Sequence, residues 1–219
     1  MSGALKSTPL GRGWKARQTP WVRRAAPAPV FTDDLIGKED RLMRWFQRVL
    51  QSESEQGGSS SRVGVLFVCL GNICRSPTAQ GVFEHLLAEQ GMTDRIHVDS
   101  AGTHAYHVGE PPDDRARKAA MNRGIDLSRQ RARRLEAGDL QRFHYVLAMD
   151  RDNLANIRAL MKTTPMGQVG LMMEHSRAWT EKEVPDPYYG GTHGFERVLD
   201  MIDDASRGLL AQIRREHGF

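Results

Sequence analysis

The sequence predicts an α/β fold built on a four-stranded parallel sheet, and three observations carry that expectation. From residue 62 onward, apolar runs of strand length alternate with helix-length amphipathic stretches, the order that a parallel sheet requires. The first run, VGVLFVC at 63–69, passes through a short loop directly into a helix start. Ahead of it, QSESEQGGSSSR at 51–62 has the Ser, Gly and Glu content of a flexible linker, which sets the alternating region apart from what precedes it.

Taken in order, residues 1–30 hold six basic side chains, four prolines and no acidic group, a composition expected to be disordered. Residues 32–51 read as one short helix, with Thr32 as its cap and Leu42, Trp45, Phe46, Val49 and Leu50 along one stripe. That stripe is expected to pack on its own domain, with Arg41, Arg44 and Arg48 making contact with a membrane surface the minority reading. The expected strands are 63–69, 95–100, 144–149 and 168–172. Helices are expected around 77–90, 113–123, 135–141 and 151–161, and a longer one over 194–215 buries Phe195, Val198, Leu199, Ile202, Leu209 and Ile213. The chain of 219 residues thus divides into an extension, 1–61, and a domain, 62–219. The extension has ten Lys/Arg against six Asp/Glu and the domain 21 against 21, so the whole formal charge of +4 belongs to the extension.

The chemistry concentrates in CLGNICRSP at 69–77. Cys69 closes the first strand, and the loop from Leu70 to Arg75 is short enough for successive backbone N–H groups to turn inward around a tetrahedral anion. Gly71 and Asn72 are the residue types that best tolerate left-handed backbone angles. Ser76 is expected at the N-cap and Pro77 at the first helical position, aiming the helix dipole at the loop. A thiol in such a field becomes a thiolate nucleophile. The planar fork of Arg75 matches two phosphate oxygens. No GK[ST] follows the strand and no GxGxxG, which argues against a nucleotide-binding loop of either kind. An Asp between two prolines, Asp186 in VPDPYYGG, supplies an acid on a clamped backbone.

The segment VLFVCLGNICRSPTAQGVF resembles the low-molecular-weight protein tyrosine phosphatases. The resemblance spans about residues 62–219, through SAG at 100–102, GEPPD at 109–113, VLAMD at 146–150 and VPDPYYGG at 184–191. It implies a four-stranded parallel sheet with the site at the carboxyl end of the first strand. Catalytic roles fall on Cys69, Arg75 and Asp186; Leu70, Gly71, Asn72, Ile73, Cys74 and Ser76 line the phosphate loop. Asn72 braces that loop, and Ser76 donates to the thiolate. Tyr106 forms one aromatic wall, and Tyr188 and Tyr189 the other, which favours a flat phenolic leaving group. Relatives place a histidine against the loop asparagine where this chain has Gln130, whose amide is expected to make the same contact. The expected partner is a phosphotyrosine protein or a small aryl phosphate. No cofactor or metal is implied. Arsenate reduction would need downstream resolving cysteines, and none follows Cys74. Arginine phosphatases carry Thr at the position of Ile73, whose larger side chain narrows the pocket.

Other features are read as ordinary. His104 and His107 lack acidic or cysteine partners for a metal. RQRARR at 129–134 reads as a solvated face and not as a nucleic-acid site, though it could attract acidic phosphopeptides. Two cysteines five apart do not make a secreted scaffold, and they instead suit capture of an oxidised Cys69 by Cys74. With no apolar stretch of about 18 residues and no apolar signal core, a cytoplasmic enzyme is expected, or a mitochondrial one if the Arg-rich start is a transit peptide.

Overall fold

The seven residues of strand β1 (Val63–Cys69) are all buried, as a strand covered on both faces must be. In the computed structural model, which describes residues 62–189 and 191–219 but not the side chains of residues 189–192, β1 lies between two parallel neighbours. Strand β2 (Ile96–Gly102) pairs on one side, with Cys69 opposite Gly102, and strand β3 (Tyr145–Ala148) on the other, with Val68 opposite Ala148. Strand β4 (Gln168–Leu171) adds to β3, giving the order β2-β1-β3-β4. The expectations for residues 1–61, namely the disordered start, the helix at 32–51 and most of the linker, lie outside the described residues.

Alternate residues of β1 feed two cores, since successive side chains point to opposite faces. Val63, Val65, Phe67 and Cys69 face helix α1 (Arg75–Glu89), helix α2 (Asp114–Met121) and the 27-residue helix α4 (Gly191–His217). Phe67 meets Phe83 of α1 edge to face, with ring centroids 5.7 Å apart. Leu66 and Val68 instead pack with Leu140, Phe143 and the Leu154 and Ile157 of helix α3 (Arg151–Ala159). All six residues expected on the buried face of α4 are buried.

Some boundaries differ from the expected ones. The helix expected at 135–141 is a short 3-10 turn, Ala137–Gln141, held by a capping box between Glu136 and Asp139. Strand β2 runs on to Gly102 because β1 continues to Cys69 beside it. Helix α1 begins at Arg75, with Cys74 as its N-cap, and Ser76 and Pro77 fall inside the first turn. The Ser76 hydroxyl, expected to cap the helix, reaches the Cys69 sulfur instead.

Candidate active site

The loop between β1 and α1 is tied down by its carbonyl groups. Thr103 N donates to Cys69 O at 2.8 Å, His104 N to Leu70 O at 3.0 Å, and Asp113 N to Ile73 O at 2.8 Å. Cys74 O accepts from the Thr78 hydroxyl at 2.7 Å. The first turn of α1 has no side-chain cap, so its N–H groups stay available to an anion.

Asn72 holds the centre of the loop. Its φ of 57° is the left-handed angle that asparagine tolerates. Its amide donates to Ser76 Oγ at 3.0 Å and Ser100 Oγ at 2.9 Å, while its Oδ1 accepts from Arg133 N at 2.9 Å. Gly71, the other residue expected to take a left-handed angle, does not have one. It is small for a different reason: a Cβ there would lie 2.9 Å from Cδ2 of His107. Gly102 meets a harder obstacle, since a Cβ there would lie 2.9 Å from Leu70 O with the loop backbone behind it, neither of which can swing away as a side chain can.

Cys69 Sγ lies 3.0 Å from Ser76 Oγ and accepts from Asn72 N at 3.3 Å. Arg75 is 4% exposed, and three groups converge on its fork. Nη1 donates to Asp150 Oδ2 at 2.5 Å and to Val184 O at 3.2 Å, and Nη2 donates to Asp186 Oδ2 at 3.4 Å. Nε is buried and has no partner. Burial works against the Arg75 charge, but Cys69, Asp150 and Asp186 outweigh it and raise its pKa above the usual arginine value. Asp186 also accepts from Tyr188 N at 3.0 Å, so the turn after it fixes the carboxylate.

These groups open on a cavity of about 350 Å³ lined by Cys69, Arg75, Asp186, Ile73, Tyr106 and Tyr188, with Leu70, Gly71, Cys74 and His107 completing the wall. Every candidate with a described side chain except the loop-bracing Asn72 and Ser76 therefore reaches the cavity, and those two contact Cys69 from behind. Tyr106 is 70% exposed and stacks on His104, while Tyr188 is 50% exposed and lies under the Arg115 guanidinium. The side chain of Tyr189 lies outside the described residues. Cys69 and Cys74 are both free thiols. Burial, followed by Asp113, pushes the Cys74 thiol up to about 12, which opposes its expected role in rapid capture of an oxidised Cys69.

Three expectations are corrected. Gln130 does not touch Asn72: its Oε1 and Nε2 have no hydrogen-bond partner, because Ser76, Ser100 and the Arg133 backbone already satisfy the asparagine. Nor is RQRARR wholly a solvated face. Arg133 pairs with Asp99 and with the buried Asp139, at 2.9 Å each, and its own N–H supports the loop. His107, read as lacking an acidic partner, has its Nδ1 2.7 Å from Glu110 Oε2. Sequence reasoning also missed the roles of Asp150 and Ser100. Asp150 caps α3 by accepting from Asn153 N at 2.7 Å while holding Arg75, and an Asp at a helix start was the available signal.

Fold and site together define a class: an α/β protein whose first strand ends in a thiol, followed by a tight loop that leads into a helix and is backed by a buried arginine. The family model for low molecular weight phosphotyrosine protein phosphatases matches residues 64–218. The low molecular weight protein-tyrosine-phosphatase YfkJ of Bacillus subtilis is 36% identical over 154 residues, covering 70% of this chain and 97% of that protein. Its crystal structure superposes with a TM-score of 0.68, covering 73% of this chain and 99% of that one. The Schizosaccharomyces pombe low molecular weight phosphotyrosine protein phosphatase is 39% identical over 155 residues, covering 70% and 99%. A drosophila arginine phosphatase superposes with a TM-score of 0.64 at 29% identity, covering 68% and 97%. The chain belongs to the low molecular weight phosphotyrosine protein phosphatase family, and as a member it is a hydrolase.

Proposed function

We propose that residues 62–219 form a phosphatase domain that hydrolyses phosphotyrosine in proteins, and small aryl phosphates, through a cysteinyl phosphate, with residues 1–61 as an accessory segment. The observation that carries this reading is the convergence of Cys69, Arg75 and Asp186 on one cavity walled by Tyr106 and Tyr188. The Cys69 thiolate attacks phosphorus and the P–O ester bond breaks. Its electron pair leaves on the phenolic oxygen, which takes a proton from Asp186. Arg75 holds the equatorial oxygens with the loop amides, and its unpartnered Nε is a donor already free for one of them. A bound phosphate competes with Asp186 for the guanidinium and so frees the carboxyl to carry that proton. In the second step Asp186 takes a proton from water, the water oxygen joins phosphorus, and the P–S bond breaks with the sulfur pair stabilised by Ser76.

The drosophila relative shows that this fold also houses arginine phosphatases, so the fold does not choose the substrate. Ile73 favours phosphotyrosine: it packs against the core and narrows the cavity with an apolar wall, an environment suited to a phenyl ring. Phosphate release from phosphotyrosine and phosphoarginine peptides tests this directly. Faster cleavage of phosphoarginine would overturn the substrate, and no release from either would overturn the activity. No helix among the described residues is long and apolar enough to cross a membrane. We place the enzyme in the cytoplasm, with import into mitochondria as the alternative.

A further inference from the structure

The turn that carries Asp186 is anchored on both sides. Upstream, Val184 N donates to Met149 O at 2.8 Å, and Val184 O accepts from Arg75 Nη1 at 3.2 Å. Downstream, Tyr188 N donates to Asp186 Oδ1 at 3.0 Å, and Tyr188 O accepts from Arg115 Nη1 at 3.0 Å. Arg115 is itself clamped. Its Nε donates to Asp113 Oδ1 at 3.0 Å and its Nη2 to Asp113 Oδ2 at 2.8 Å, a forked pair. Its guanidinium also lies over the rings of Tyr188 and Phe195, 4.8 and 5.0 Å from their centroids. Asp113, the N-cap of α2, in turn donates its own N–H to Ile73 O at 2.8 Å. A continuous path therefore runs from the phosphate loop through Asp113 and Arg115 to the residue whose N–H orients the Asp186 carboxylate.

The need for the downstream anchor follows from what substrate does to the carboxylate. The Asp186 side chain is 43% exposed, so packing does little to hold it. Its link to Arg75 Nη2 is long, at 3.4 Å, and on the mechanism above a bound phosphate takes over that guanidinium. The carboxyl that must then deliver a proton is held by its own turn, and the turn by Arg115. We propose that Arg115 is a positioning residue that keeps Asp186 in register with the phosphate loop for proton transfer to the leaving group. Arg115 does not line the cavity, so it acts through Tyr188 and Asp186 and not on the substrate. The proposal rests on the phosphatase reading above and holds whether the substrate is phosphotyrosine or phosphoarginine. Its consequence is selective: replacing Arg115 leaves Cys69, Arg75 and the loop donors in place and weakens only the step that needs an acid.

The test measures kcat/KM, which covers the steps up to ester cleavage, for phenyl phosphate and for dinitrophenyl phosphate, whose acidic phenol departs without a proton. In Arg115→Gln the value for phenyl phosphate should fall about tenfold, short of the roughly 10² to 10⁴ that loss of the acid itself costs. Cleavage of dinitrophenyl phosphate should change less than about twofold, and vanadate should bind as it does to the wild type. Arg115→Lys, whose single amine cannot grip Asp113 in a fork and reach Tyr188 O as well, should show the same selective loss at smaller size. In an Asp186→Asn background Arg115→Gln should add nothing, because no acid is left to position. An equal loss for the two esters, weakened vanadate binding, a full further loss in the Asp186→Asn background, or unchanged phenyl phosphate cleavage in both Arg115 variants overturns the assignment. Cleavage of neither ester by the wild-type protein would overturn the phosphatase reading, and this one with it.

Discussion

The phosphate loop and the rim of the cavity are a few ångströms apart and are built on opposite principles. In the loop, Asn72, Arg75 and Ser76 are at most 4% exposed, and all but the Nε of Arg75 is engaged by hydrogen bonds within the protein. At the rim, Tyr106 is 70% exposed and Tyr188 50%, held by stacking on His104 and Arg115. Under the proposed mechanism, the difference separates two parts of the function. Groups that must meet developing charge are ordered before substrate arrives, because their reorganisation would otherwise be charged to the barrier. Groups proposed only to recognise the leaving group can stay at the surface, where substitution should alter affinity and leave the chemistry intact.

The sharpest way to break that contrast is at the centre of the loop. Cys69→Ser should abolish turnover and still bind vanadate, because a hydroxyl stays protonated at neutral pH while the donors are untouched. Measurable phosphatase activity in that variant would refute the covalent route. Next in size is Asp186→Asn, expected to slow cleavage of phenyl phosphate by roughly 10² to 10⁴ and of esters with acidic phenols much less. An equal loss across leaving groups would make Asp186 structural. Asp150→Ala leaves Arg75 with a buried charge short of its nearest anion. We expect a loss of about 3 kcal/mol in stability together with a fall in kcat, read from denaturant melts and kinetics of the same protein. At the rim, Tyr106→Ala should raise KM for aryl phosphates about three- to tenfold with kcat and Tm unchanged. A drop in kcat as large as its rise in KM would erase the distinction between the two regions.

The smallest effect lies far from both, and it concerns pH. Gly64 N donates to His144 Nδ1 at 2.9 Å, a bond that needs the neutral ring, and burial followed by the neighbouring His217 lowers the His144 pKa. The folded state therefore binds its proton less readily than the unfolded chain. Its contribution is present above the unfolded value, about 6.5, and is lost as pH falls through the folded value. Tm should decline below about pH 6.5, and His144→Gln should flatten that part of the profile. An unchanged profile would exclude His144 as its source.

What the sequence disclosed and what it withheld divide along the same physical line. Strand, loop and helix at 63–89, and the Asp186 turn, are local: their residue types act on neighbours a few positions away, so their order could be read directly. Asp150, Ser100, Gly102 and Arg133 reach the loop only through strand pairing and crossovers. As isolated letters they look like a helix cap, a strand residue, a small residue and a surface cation. Gln130 shows the opposite failure, because a position beside a motif did not guarantee the contact once Ser100 and Arg133 had taken it. Helix α1 starts two residues earlier than expected for a related reason: Ser76 has the chemistry of a cap, but the sulfur of Cys69 claims its hydroxyl.

The outward ties of the loop carbonyls set its parity. The oxygens of Cys69, Leu70, Ile73 and Cys74 are all committed to Thr103, His104, Asp113 and Thr78, which on the proposed mechanism keeps these four acceptors from opposing a bound oxyanion. Adding or deleting a single residue between Cys69 and Arg75 should break one or more of these ties or pull the guanidinium from Asp150, Val184 and Asp186. The spacing of the two residues is therefore a discrete constraint, met by whole residues or not at all.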